Sequence, residues 1–281
     1  GSGGVFSATS GTSWGPKISE LPNDATYGGN TDNEYTQKFG KQQGKYYVPQ
    51  RAAAGLDPWA TPQAYDNAKD FFDTGITWSN SLNVAQMLDK SSYSISLGNT
   101  HQDGIISSTG MDRYNVKVSA DTKLTNNWSS GFTANYITTS IDKAVTSGNG
   151  LLRTVYAAPP SYDLAGIPSH VDGNPYTQNS FRGSFDNAYW AMENNKFTED
   201  TNRFFGNVYA SYQTDFGTTN HKLNAKYMVG VDAYTTHYVD SYGYGSNTGG
   251  GRGQIENYGW TNATYNSLLT INYDWHINED W

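Results

Sequence analysis

From residue 78 onward, large apolar and small polar side chains take turns along the chain. Trp78, Leu82 and Val84 share one parity, with Ser79, Ser81 and Asn83 between them. Successive side chains of an extended chain point to opposite faces, so this pattern predicts a strand of about ten residues. Tyr93, Ile95 and Leu97 alternate with serines, and Tyr114, Val116, Val118 and Ala120 alternate with Asn115, Lys117 and Ser119. Phe132, Ala134 and Tyr136 complete a fourth strand. Three more follow: Phe204, Val208, Ala210 and Tyr212, then Leu223 to Ala233 on odd positions, then Tyr265, Leu269, Ile271, Tyr273 and Trp275.

The segments between strands differ in length. Short turns are expected at Gln86 to Lys90, Thr125 to Trp128 and Asp215 to Asn220. They alternate with an intermediate link at Asp103 to Arg113, a long segment from Ile141 to Asp200, and a Gly-rich loop from Asp240 to Glu256. Short and long in strict alternation predict a meander with its turns at one end and its loops at the other, the topology of outer-membrane barrels. Residues 1–76 read as loop-rich, punctuated by Gly1 to Gly4, Gly28-Gly29-Asn30, Pro49, Pro58 and Pro62, with a helical hint only from Pro62 to Phe72. The division expected is therefore 1–76 as a loop-rich extracellular or early barrel segment, 77–140 as four strands, 141–200 as a long extracellular loop, and 201–281 as three strands. Trp78, Trp128, Tyr136, Phe216, Tyr238, Tyr258, Trp260, Tyr273 and Trp275 fall near strand ends, where interfacial girdles would sit.

Composition sharpens this picture. Hydrophobic residues make up 36% of the chain, low for an ordinary buried core, yet aromatics reach 15% and charged residues only 16%, the reverse of a disordered composition. No apolar run of about 18 residues exists, which excludes a transmembrane helix but not spanning strands, whose average hydropathy is polar. A net charge of -8 argues against nucleic-acid binding, and zero cysteines remove disulfides and thiolate metal sites. Seven strands are an odd number, whereas bacterial single-chain barrels close with an even one, so the chain is expected to be an internal piece of a barrel.

Several motifs, in order, resemble SusC/RagA-type TonB-linked outer-membrane proteins: Phe71-Phe72-Asp73-Thr74-Gly75, Asn99-Thr100-His101-Gln102-Asp103-Gly104-Ile105 and Asp112-Arg113, then Tyr156-Ala157-Ala158-Pro159-Pro160, Asp186-Asn187-Ala188-Tyr189-Trp190 and Phe205-Gly206-Asn207. Two positions depart from that pattern: Gln86-Met87-Leu88 stands where the family usually has Gly-Gly-Asn, and Ala188 where it often has Pro. The resemblance implies an all-β fold, an antiparallel up-and-down transmembrane β-barrel segment of about seven strands from a 22-stranded barrel, with long extracellular loops. It further implies a plugged importer in the cell outer membrane, embedded in outer-membrane lipid. Such an importer is driven by the TonB complex through an N-terminal part, works with a SusD-like surface lipoprotein, and takes oligosaccharides or peptides. It implies no enzymatic activity and no cofactor.

Candidate chemistry is sparse. His101, His170, His221, His237 and His276 show no metal-ligand spacing, and carboxylates such as Asp24, Asp32, Glu34, Glu193 and Glu199 read as solvated loop residues. Gly249 to Gly253 lacks the Lys-Ser/Thr of a phosphate cradle. Arg153, Tyr156, Tyr162, Tyr176 and Trp190 in the long segment are the candidate ligand-binding residues, since aromatic faces and polar groups together suit sugars, although loop self-packing needs the same residues. Two other readings compete: a secreted all-β carbohydrate-binding or hydrolase domain, which would bury its apolar parity in a core, and an outer-membrane adhesin or structural barrel.

Overall fold

The computed structural model describes residues 16–145, 151–181, 183–217 and 220–277, so Gly1 to Gly4, part of the long segment and part of the Asp215 to Asn220 turn lie outside it. Seven strands form one antiparallel sheet in which each strand pairs with its sequence neighbours: β1 (Thr77–Met87), β2 (Ser91–Asp103), β3 (Gly110–Lys123), β4 (Trp128–Lys143), β5 (Lys196–Thr214), β6 (His221–Tyr242) and β7 (Gln254–Trp275). The meander read from connection lengths is this topology. Its strands run further than the parity blocks suggested, because pairing continues beyond the apolar residues, as in Lys143 opposite Phe197 and Tyr242 opposite Gln254. The link from β2 to β3 therefore shrinks to residues 104–109, and the long connection to 144–195.

Register puts the apolar parities of all seven strands on one face. Leu82 lies opposite Leu97, Leu97 opposite Val116, Val116 opposite Tyr136, Phe132 opposite Val208, and Val208 opposite Val229. No layer of the described residues covers these side chains: Leu82, Ile95, Val208 and Ile271 are 58%, 45%, 48% and 61% exposed. The opposite face is polar and bonded across strands. Ser94 meets Ser119 at 2.8 Å, Arg203 Nε donates to Asp232 at 2.8 Å, and Tyr209 donates its hydroxyl proton to Asp121 at 2.5 Å. Met87, Met111, Ile137, Ile141, Phe205 and the facing pair Met228 and Leu268 are apolar exceptions there. Gly131 is required on this face, since a Cβ would lie 2.7 Å from the Tyr209 ring and 2.8 Å from the Ala120 carbonyl oxygen.

The apolar face is a belt edged by aromatic rings. Tyr136 and Trp128 on β4, Phe204 and Tyr212 on β5, and Tyr265 and Tyr273 on β7 bracket it with the same spacing of eight positions. Eight steps at about 3.3 Å span roughly 26 Å along a strand. The belt does not follow the hydrogen-bonded rows. Traced row by row to β1, the loop-side ring of β3 (Tyr114) arrives at Asn80, those of β4 and β5 (Tyr136, Phe204) at Leu82, and that of β7 (Tyr265) at Val84, whereas β1's own ring is Trp78. The turn-side edge slips in the same sense: Tyr93 on β2 maps to Gln86, but Trp128 on β4 to a row beyond the end of β1. The belt thus drifts by about one residue per strand. With strands about 4.8 Å apart and residues about 3.3 Å apart, that drift inclines the strands roughly 35° to the belt normal, which makes the belt roughly 21 Å tall.

At the loop end, residues 16–76 and the 144–195 connection build a cap that holds the one hydrophobic core of the described residues. Leu21, Tyr46, Val48 and Phe71 pack with Leu151, Val155, Tyr162, Leu164, Phe181 and Trp190. Short helices carry it: α1 (Glu34–Phe39), α2 (Pro49–Ala53), α3 (Asn67–Phe71), α4 (Leu151–Ala157) and α5 (Ala188–Asn194). The helical hint at Pro62 to Phe72 contracts to α3, whose cap Asp66 accepts from the Lys69 amide at 3.2 Å. Asn33 caps α1 reciprocally with Thr36, and Asn187 caps α5 by accepting from the amides of Tyr189 and Trp190. The two sequence-distant parts are stitched by Tyr46 Oη to the Ser161 carbonyl (2.7 Å), the Tyr65 amide to the Pro160 carbonyl (2.7 Å) and Asn179 Nδ2 to the Gln50 carbonyl (2.8 Å).

Candidate functional site

The five candidate binding residues separate into two groups. Trp190 and Tyr162 are 0% and 1% exposed, so both belong to the cap core rather than to an open surface. Trp190 Nε1 donates to the Pro175 carbonyl at 2.8 Å, and the Tyr162 ring packs 5.3 Å from Phe181. Burial, with the Asp163 charge beside it, raises the pKa of Tyr162. Arg153, Tyr156 and Tyr176 are exposed: the Arg153 guanidinium lies over Phe185 at 4.9 Å, Tyr156 leans on Phe72, and Tyr176 meets Tyr244 edge-on at 5.9 Å. The structure does not gather the five into one site.

Asp186 ties the β6–β7 connection to the cap. Its carboxylate accepts from Gln178 Nε2 (2.7 Å), the Asn247 amide (2.7 Å), Asn247 Nδ2 (2.9 Å) and Ser246 Oγ (2.6 Å). Gln178 in turn donates to the Gly245 carbonyl and accepts from the Asn187 amide. The β6–β7 connection is thereby fastened to the 144–195 connection. Gly245 sits at φ 101°, where a Cβ would lie 2.2 Å from the Tyr176 carbonyl oxygen.

Beneath the cap, beyond the loop-side edge of the belt, the polar face of β4 to β7 carries an aromatic cluster. Tyr238 and Tyr258 are register partners with rings stacked at 5.0 Å and 9°, and Trp260 leans on Tyr238 at 5.2 Å. Lys143 Nζ rests 4.5 Å above Tyr238 and 3.3 Å from Glu199. Next along, Phe197 meets Tyr242 edge-on at 5.0 Å, and a narrow crevice opens between these rings, Leu151, Asp186 and Met192. Tyr258 and Trp260 are 44% and 51% exposed.

This cluster divides the expected girdle. Trp78, Trp128, Tyr136, Tyr273 and Trp275 lie on the apolar face, but Tyr238, Tyr258 and Trp260 lie on the other. The signal was present in the parity: Tyr238 is out of phase with Leu223 to Ala233, and Tyr258 and Trp260 with Tyr265 to Trp275. Phe216 belongs to neither face; it occupies the β5–β6 turn at φ 54°.

Four of the five histidines pair locally. His101 Nδ1 lies 2.7 Å from Asp112, His170 3.3 Å from Glu193, His221 2.7 Å from the Tyr273 hydroxyl and His237 2.6 Å from Asn257. Among the described residues no three His, Asp or Glu side chains converge as metal ligands. No known protein-family profile matches the chain, and no curated protein matches it.

Proposed function

We propose that this chain forms part of the wall of an outer-membrane β-barrel importer of the SusC/RagA type, with the cap on the extracellular side and the polar face toward the lumen. The carrying observation is the belt: an apolar face that no described residue covers, edged on β4, β5 and β7 by aromatics eight positions apart, and staggered by about one residue per strand. An up-and-down barrel tilts its strands about 35–45° and shows lipid an apolar band about 25 Å tall, close to the roughly 35° and 21 Å that the stagger gives. A soluble sandwich instead buries that parity against a second sheet. The motif resemblance adds the importer class: nutrient passage through an energised, plugged barrel, with oligosaccharides or peptides as cargo, a SusD-like lipoprotein and the TonB complex as partners, and no enzymatic step.

Single-cysteine labelling of the complete protein in lipid vesicles tests the orientation. Fluorophores at Val84, Ile95, Val208 and Ile271 should be quenched by lipid-chain nitroxides, and those at Asn83, Ser94, Asn207 and Thr270 by a water-soluble quencher. Loss of that alternation would remove the membrane reading.

A further inference from the structure

Charges on the polar face of β4 to β7 pair off incompletely. Lys143 is matched by Glu199 at 3.3 Å, and Arg203 is held bidentately by Asp232. At the loop end of this face Asp240 and Glu256 remain, register partners directly opposite each other, whereas Lys226, over the Tyr209 ring, and the register partners Lys222 and Asp274 lie at the turn end. Opposed side chains in an antiparallel pair have Cβ atoms about 5 Å apart, a spacing at which like charges are destabilising. The bonds given to these carboxylates come from neutral donors: Tyr258 Oη to Asp240 at 3.1 Å, and Gln254 Nε2 to Glu256 at 2.5 Å. The adjoining row along both strands is the Tyr238–Tyr258 stack, followed by Trp260. The face of Tyr238 already carries a cation, Lys143. Exposed rings bordered by two carboxylates that have no cationic partner among the described residues form a surface complementary to an organic cation.

We infer that the Tyr258–Trp260 wall, with Asp240 and Glu256, binds ligands carrying ammonium or guanidinium groups, as a basic peptide or an amino sugar does. The cation lies against the ring faces, whose quadrupole attracts it, and bridges the opposed carboxylates, relieving their repulsion. Set below the cap, this wall lines the entrance that the barrel reading assigns to cargo, and the inference rests on that reading for its place in transport.

Calorimetric titration of the complete protein in detergent tests it, with C-terminally amidated trilysine, its fully acetylated neutral counterpart, and a glucosamine trimer as probes. Binding of trilysine or of the glucosamine trimer, but not of acetylated trilysine, is expected, and which of the two binds identifies the source of the cation. Trp260→Ala should weaken that binding at least about threefold. Asp240→Asn with Glu256→Gln should abolish it while leaving the melting temperature unchanged or higher, because the substitutions remove a repulsion. Failure of both cationic probes to bind would overturn the inference, as would acetylated trilysine binding as tightly or the double variant retaining affinity. None of these results depends on lipid orientation, so a failed labelling experiment and a failed titration are distinguishable.

Discussion

Val208→Arg perturbs the belt where it is deepest. Val208 lies four positions from Phe204 and four from Tyr212, with Phe132 and Val229 as its register partners. Four steps of about 3.3 Å on a strand inclined by roughly 35° place it about 11 Å from either aromatic edge. An arginine side chain can carry its charge toward an interface only by lying along apolar surface, and this depth exceeds its reach. Arg near the midplane of a barrel's lipid face costs about 2–4 kcal/mol, falling to about 0–1 near the interfaces. The folding constant of the complete protein in phosphatidylcholine vesicles should therefore drop by a factor of roughly 30 to 1,000, at about 1.4 kcal/mol per decade. Asn207→Arg points to the polar face and Thr214→Arg lies two positions beyond Tyr212, so each should cost less than about 1 kcal/mol. Equilibrium denaturation followed by tryptophan fluorescence measures all three. Equal losses for Val208→Arg and Asn207→Arg would refute a lipid-facing parity, and equal losses for Val208→Arg and Thr214→Arg would refute the belt edges.

Two further outcomes concern the cap. Trp190→Ala removes a fully buried indole and should cost about 3–5 kcal/mol of cap stability, seen as faster proteolysis within 144–195, while the exposed Tyr156→Ala should change proteolysis little. Tyr46 is buried, donates to the Ser161 carbonyl, and has its pKa pushed up to about 12, chiefly by burial and next by Tyr65. A folded pKa above the unfolded value near 10 gives stability that is complete below about pH 10 and lost by about pH 12, roughly 3 kcal/mol in all. Tyr46→Phe should remove that part of the alkaline destabilisation, as read from amide exchange in the cap.

The strands were legible in the chain because parity is a local property: a side chain's face is decided by counting from its neighbour, with no knowledge of what lies across the sheet. Leu82 to Val84 and Leu223 to Ala233 declare their faces this way, and the alternation of short and long connections declares the meander. The same count also held the position of Tyr238, Tyr258 and Trp260, which nearness to strand ends obscured. In the 144–195 connection no period exists to count. Whether Trp190 meets a ligand or a core depends on Leu21, Tyr46 and Phe71 arriving from far upstream, and a sequence does not order such long-range contacts. The opposition of Asp240 and Glu256, and the one-residue drift of the belt, likewise exist only once register is fixed. Register is a relation between strands, set by pairing along their whole lengths, so only the folded sheet could decide it.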